Sequence, residues 1–284
     1  MLIRLAYLLN YLLGRDIAGR TLIKFPDDIF LVAYPGSGGQ WLRRLVGNLM
    51  DPEHPLTESN VMQRIPDLYH LSRRAFKRMP RPRHIFSHEC IDAESHVRVV
   101  YLVRDPRDVA LTNFEQRRTG GTIDANISLE QFVATVFMKT DEYQGGWAEE
   151  FSGAILAPRR WYRGLLKDEL LGTPGSWGEN VMSWLGGRGR DSKTLLMLRY
   201  EDLFADPVEM LAHVSDFLGL GASRARADAA VVASRGRGRV APEPERPGRW
   251  KESLPEPAVL QIETVWGPLM AMLGYAPTGV WVSP

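Results

Sequence analysis

The run from Phe30 to Met50 (FLVAYPGSGGQWLRRLVGNLM) constrains the fold of this chain more than any other stretch. Phe30–Tyr34 is short and apolar, preceded by Pro26-Asp27-Asp28 and followed by Pro35-Gly36-Ser37-Gly38-Gly39, which reads as a buried strand entering a glycine turn. Gln40–Met50 then sets Trp41, Leu42, Leu45, Val46 and Leu49 at helical spacing. Strand, glycine turn and helix in that order open a nucleotide-binding α/β unit. Glycine N–H groups at a helix N-terminus form an anion site, because backbone donors and helix dipole both favour a phosphate. A magnesium-dependent kinase or ATPase needs Gly-Lys-Ser/Thr at the helix start. Here Gly38 is followed by Gly39 and Gln40, which counts against that reading.

Further short apolar runs follow at His84–His88, Arg98–Val103 and Thr194–Leu198, with helical patterns over Leu129–Met138, Trp177–Leu185 and Pro207–Leu218. Strands alternating with helices predict an α/β fold, a single domain with a central parallel β-sheet flanked by helices and a P-loop-like phosphate-binding turn. The predicted division is an N-terminal helical segment over 1–25 and the domain over 26–284. Ligands in such sheets bind beyond the carboxyl ends of the strands. All the strand candidates end in polar groups there: Gly36–Gln40, His88, Arg104 and Tyr200. Gln116–Asn126 and Ser234–Pro247 read as irregular, the second rich in Arg, Gly and Pro.

Charge narrows the ligand classes. The 284 residues carry 35 basic against 34 acidic side chains, so an anion site must be built locally and nucleic acid is not an expected partner. The single cysteine, Cys90, excludes an intrachain disulfide framework and fits a reducing, cytoplasmic setting. No apolar run reaches the ~18–20 residues that cross a bilayer. Met1–Arg15 is leucine-rich and interrupted by Arg4 and Asn10, and no small-residue cleavage site follows it. Two readings stay open: a helix docked on the domain or at a homodimer contact, and peripheral membrane contact through residues 1–15.

Tyr34–Trp41 (YPGSGGQW) resembles the phosphosulfate loop of the sulfotransferases that use 3′-phosphoadenosine 5′-phosphosulfate (PAPS), which typically reads Tyr-Pro-Lys-Ser-Gly-Thr-Thr-Trp. Four more segments resemble that family in the same order: Val99–Phe114, Gly175–Trp184 (GSWGENVMSW), Leu195–Leu220 with its Tyr-Glu-Asp, and Gly248-Arg249-Trp250-Lys251. The resemblance implies sulfuryl transfer from PAPS to a hydroxyl or amine of a small-molecule, lipid or glycan acceptor, with no metal required. It implies that Gly36, Ser37, Gly38, Gly39 and Gln40 hold the 5′-phosphosulfate and that Trp41 lies against adenine, since an aromatic face stacks any base. Arg104 and Thr112 would hold the 3′-phosphate by a fork plus a hydroxyl. Tyr200, Arg246, Pro247 and Gly248 complete the implied nucleotide contacts, while Asp105 and Asp108 cap the next helix. His88 is the implied general base, suited by its near-neutral pKa, with Glu89 as the alternative.

The chain departs from the family pattern at three places. Gly36 replaces the loop lysine, Glu243-Pro244-Glu245 replaces Arg-Lys-Gly, and Phe86 replaces a lysine near the acceptor. Arg43 or Arg44, leaning back toward the helix start, is a candidate for the first missing cation. Arg246, or one of Arg235, Arg237 and Arg239, is a candidate for the second. Acceptor contacts are expected from residues 50–79, 116–126 and 141–173. The alternatives are a catalytically weak protein of the same fold that binds PAPS or adenosine 3′,5′-bisphosphate (PAP), and a P-loop kinase.

Overall fold

The computed structural model describes residue 13 and residues 24–68, 70–89, 98–138, 175–187, 193–235 and 244–278. The helix expected over residues 1–15, Cys90, the stretch 141–173, and Arg237 and Arg239 lie outside these, apart from Leu13.

The strands are β1 (Ile29–Ala33), β2 (His84–Ser87), β3 (Arg98–Val103) and β4 (Leu195–Arg199). They form one parallel sheet in the order β2-β1-β3-β4. Its apolar residues divide by alternation. Phe30, Val32, Ile85, Val99, Tyr101 and Val103 enter one core; Ile29, Leu31, Ala33, Phe86, Val100, Leu102 and Leu198 enter the other. A sheet buried on both faces needs apolar residues at successive positions rather than alternate ones, which is why the strand interiors read as short hydrophobic runs. Residues 66–68 cover the outer edge of β2, with Phe86 N–H donating to the Pro66 carbonyl and Leu68 N–H to the Phe86 carbonyl, each at 2.9 Å.

Helix α1 (Gly39–Met50) follows β1, and its Leu42, Leu45, Val46 and Leu49 pack on the second face. Helix α2 (Pro106–Thr119) follows β3, and its Val109, Ala110 and Phe114 pack on the first. Adjacent strands therefore send their helices to opposite faces. That opens a crevice at their carboxyl ends, the topological switch point of the sheet.

Beyond these lie α3 (Trp177–Gly187), α4 (Tyr200–Ala205), α5 (Pro207–Leu218), α6 (Arg224–Ser234), α7 (Trp250–Ser253) and α8 (Glu256–Met272). Strand ends differ from the sequence expectation by a residue at β1, β2 and β4. Tyr34, for example, belongs to the turn because its carbonyl accepts the Ser37 N–H at 3.0 Å. The helix expected over Leu129–Met138 is α-helical over Leu129–Phe132 and a π-turn over Val133–Phe137. The irregular stretch expected from Gln116 begins only after Thr119. Apolar spacing does not announce α6 or α8. Helix α8 is largely apolar, carries Pro268 inside, and buries Ala258, Val259, Ile262, Trp266, Leu269 and Met270 against the first core.

One ion pair is sealed beneath the opposite end of the sheet. The fully buried Asp28 carboxylate accepts from Arg83 Nε at 2.8 Å and from Arg83 Nη2, and also from the Phe25 N–H at 2.8 Å.

Candidate active site

The turn after β1 is shaped by what lies beneath it. Gly38 has φ +86°, and a Cβ there would stand 2.5 Å from the Tyr200 ring. No side chain fits, so the backbone lies directly on Tyr200. Of the first-turn N–H groups of α1, those of Trp41 and Leu42 donate back to the Gly38 carbonyl at 3.0 and 3.2 Å, which leaves those of Gly39 and Gln40 as donors at the helix start. The Ser37 hydroxyl oxygen is buried and makes no hydrogen bond among the described residues. A buried hydroxyl rarely stays without a partner, and a bound anion would supply one.

Across the crevice, Arg104 leaves the end of β3 and is 2% exposed. Its Nη1 donates to the Gly36 carbonyl at 3.0 Å and to Thr112 Oγ1 at 3.2 Å, and its guanidinium lies 4.3 Å from the centre of the Tyr200 ring. Asn113 Nδ2 donates to the Pro35 carbonyl at 3.2 Å, tying α2 to the same turn. Burial pushes the Tyr200 hydroxyl up to about 12, so it stays a donor near neutrality, and it donates to the Glu245 carbonyl at 2.7 Å. Trp41 is largely buried and meets Tyr200 edge-on at 5.6 Å and Phe204 at 6.3 Å.

His88 lies just beyond β2, beside β1. Its Nδ1 is 2.5 Å from the Ala33 carbonyl, which fixes the proton on Nδ1 and the lone pair on Nε2. Phe86 packs edge-on against the ring at 4.8 Å. Burial lowers the His88 pKa, against the opposing influence of Asp67 and the Ala33 hydrogen bond, so the imidazole is neutral at neutral pH. Helix α3 holds these strand ends by side-chain donors to their carbonyls. Asn180 Nδ2 donates to His88 O at 3.1 Å, Trp184 Nε1 to Glu89 O at 3.2 Å, and Trp177 Nε1 to Arg104 O at 3.1 Å. Tyr101 OH in turn donates to Asn180 Oδ1 at 2.8 Å. The Gly-Ser-Trp segment is thus a brace between the two ends of the crevice. Asn180 carries no local signal that sequence reasoning could have used.

The cations are not all where the sequence places them. Arg43 donates through Nε to the Ile65 carbonyl at 2.7 Å and through Nη1 to Gln40 Oε1 at 3.1 Å, so it holds a side chain of the first turn of α1. Burial lowers its pKa to about 10, which leaves it charged. Arg44 turns away, donating to the Ser234 carbonyl of α6 at 2.7 Å. Arg246 is 2.5 Å from Glu252 with both side chains in solvent, and the arginine that reaches the crevice is Arg249, which sequence reasoning left without a role. Asp105 caps α2, as expected, by accepting from the Arg107 N–H at 2.9 Å. Asp108 does not cap α2. It accepts from Gly248 N–H at 2.6 Å and Trp250 N–H at 2.9 Å, pinning the late segment, with Pro247 and Gly248, to α2.

Gly36 cannot simply take the lysine found in the resembling loops. Its φ is +81°, and a Cβ would meet Asn113 Nδ2 at 3.1 Å. Left-handed backbone costs a side chain about 1–2 kcal/mol. Gly36→Lys is therefore expected to lower the melting temperature by roughly 2–8 °C, readable by thermal denaturation. An unchanged or raised melting temperature would show that the turn adopts another backbone.

A model of the sulfotransferase domain matches residues 26–234. The chain belongs to the sulfotransferase family. Sulfotransferase 2A1 of Rattus norvegicus is 28% identical over 218 residues, covering 72% of this chain and 63% of that protein. Cytosolic sulfotransferase 8 of Arabidopsis thaliana is 27% identical over 212 residues, covering 67% and 54% respectively. The chain thus spans less than two thirds of the length of these curated relatives. The crystal structure of mouse sulfotransferase SULT7A1 complexed with PAP superimposes with TM-score 0.61 at 19% identity, covering 88% of this chain and 86% of that one. Retinol dehydratase in complex with androsterone and inactive cofactor PAP gives TM-score 0.61 at 17% identity, covering 92% and 85%. These likenesses establish the sulfotransferase fold for this sheet and its crevice.

Proposed function

We propose that this sulfotransferase-family chain moves a sulfuryl group from PAPS to a hydroxyl or amine of a small-molecule, lipid or glycan acceptor. One observation carries the reading: the glycine turn with its buried Ser37 hydroxyl, the Arg104–Thr112 pair and His88 meet at a single switch-point crevice. In this reading the first-turn amides of α1 and Ser37 receive the 5′-phosphosulfate, Arg104 and Thr112 the 3′-phosphate, and the cluster of Trp41 and Tyr200 the adenine.

The acceptor oxygen attacks sulfur while the bond from sulfur to the bridging phosphate oxygen breaks. His88 Nε2 takes the acceptor proton, and PAP leaves with the electron pair. The turn's N–H groups face the charge that grows on the departing phosphate, where preorganised donors act most strongly. Gln40, held by Arg43, is the side chain nearest in sequence to that role. The PAP bound in the two fold neighbours is consistent with this donor. We place the domain over 26–284 and the protein in the cytoplasm. No helix among the described residues is long and apolar enough to cross a membrane.

A second reading, nucleotide binding with slow turnover, draws on the side-chain-free position at Gly36, where the resembling loops carry lysine. Calorimetric titration with PAP, together with transfer of radiolabelled sulfate from PAPS to an acceptor panel, separates the two. Micromolar or tighter binding, about −8 kcal/mol, with transfer supports the first reading, and binding alone supports the second. No detectable binding of PAP overturns both.

A further inference from the structure

The cluster of donors assigned above to the 3′-phosphate already holds an anion, and it belongs to the chain itself. Glu245 Oε2 accepts from Thr112 Oγ1 at 2.6 Å, from Arg104 Nη2 at 3.1 Å and from Arg249 Nη1 at 3.0 Å. Its backbone carbonyl accepts from Tyr200 OH at 2.7 Å. The side chain is bound by groups from the end of β3, from α2 and from the segment before α7, yet remains 30% exposed to solvent. Arg249 is also matched on its other side by Glu115, at 2.5 Å. Two guanidinium charges therefore face two carboxylates, so among these described residues the charges balance. Burial works to raise the Glu245 carboxyl, but hydrogen bonds from Thr112 and Arg104 and the charges of Arg104 and Arg249 hold it below the usual glutamate range. The carboxylate is thus ionised at neutral pH.

A phosphate monoester brought to Arg104 and Thr112 would meet this carboxylate at contact distance. Like charges there repel strongly, so the phosphate binds only by displacing Glu245. Displacement trades one set of charge-assisted hydrogen bonds for another, and little net affinity remains.

We propose that Glu245 is a specificity-determining residue whose carboxylate occupies the 3′-phosphate position and suppresses this chain's preference for 3′-phosphorylated nucleotides. The inference rests on the donor reading above for the identity of that position. It makes a nucleotide with a free 3′-hydroxyl nearly as good a ligand as its 3′-phosphorylated counterpart.

The test is calorimetric titration of the full chain and of Glu245→Gln with PAP and with adenosine 5′-monophosphate. Glu245→Gln keeps the shape of the side chain and removes its charge. For the wild type, the two affinities should lie within about tenfold of each other, and the ratio should rise by about tenfold or more, in favour of PAP, in the variant. Glu245→Gly, which removes the whole side chain, should raise the ratio in the same direction. A wild type that already prefers PAP by more than about a hundredfold overturns the inference, as does a ratio unaltered in both variants. Either result leaves the donor reading standing, because PAP still binds. Absence of binding by both nucleotides to every form overturns the donor reading and this inference with it.

Discussion

His88→Ala is expected to lower turnover by about 10²–10⁴-fold, the usual contribution of a positioned general base. Nucleotide affinity should change little, because the imidazole is tied to the Ala33 carbonyl at the end of β1 rather than to the Arg104–Thr112 pair assigned to the 3′-phosphate. The comparison variant is Glu89→Gln. Glu89 follows immediately in the chain, but its backbone is committed to Ser87 Oγ and Trp184 Nε1. Transfer that survives in His88→Ala and is lost in Glu89→Gln would move the role of base to the carboxylate.

The pH profile adds an independent check. Burial depresses the His88 pKa, so the neutral, proton-accepting ring persists below the ordinary histidine value of about 6.5. Turnover should therefore hold as pH falls to about 6.5 and decline only below it, and an acidic limb centred above that value would contradict the burial. The same depressed pKa contributes stability that is fully present above the unfolded value of about 6.5. That contribution is lost as pH drops toward the folded pKa, because the unfolded chain takes up the proton more readily.

Asp28→Ala should be the most destabilising of the single changes considered. It strips Arg83 of its buried counter-charge, and removing one member of a buried pair costs about 3–5 kcal/mol. For a domain of this size that is a loss on the order of 10 °C in melting temperature. The double variant Asp28→Leu with Arg83→Met should recover most of the loss, since an apolar pair does not need desolvated charges to be matched. Equal melting temperatures for Asp28→Ala and the double variant would show that the pair matters for its hydrogen bonds to Phe25 and Phe76 rather than for its charge.

Features set by neighbouring residues were legible in the sequence. Apolar strand runs, glycines at the turn between β1 and α1, and Asp105 before Pro106 are all local demands. The placement of Arg104 at a strand end was legible for the same reason. What could not be read were contacts between residues far apart in the chain. Arg104 and Glu245 are separated by 141 residues, Asp108 and Trp250 by 142, and Asn180 and His88 by 92. No periodicity or turn preference encodes such pairings. They follow from how the helices settle on the sheet. The arginines illustrate this: Arg44, Arg246 and Arg249 look alike in sequence, and only the tertiary arrangement sends them to Ser234, Glu252 and Glu245.

Tyr200 lies under Gly38, faces the Arg104 guanidinium, meets Trp41 edge-on and holds the Glu245 backbone through its hydroxyl. Its ring and its hydroxyl therefore serve different masters, and mutational history should treat them differently. The ring cannot shrink or turn without altering the glycine turn, so positions 38 and 200 are free to drift only as a pair. The hydroxyl donates to the Glu245 carbonyl, and its loss as Tyr200→Phe leaves the turn's support in place. Lineages of this chain would then reach new nucleotide preferences through residue 245 and the tyrosine oxygen, while the turn itself stays fixed by the ring beneath it.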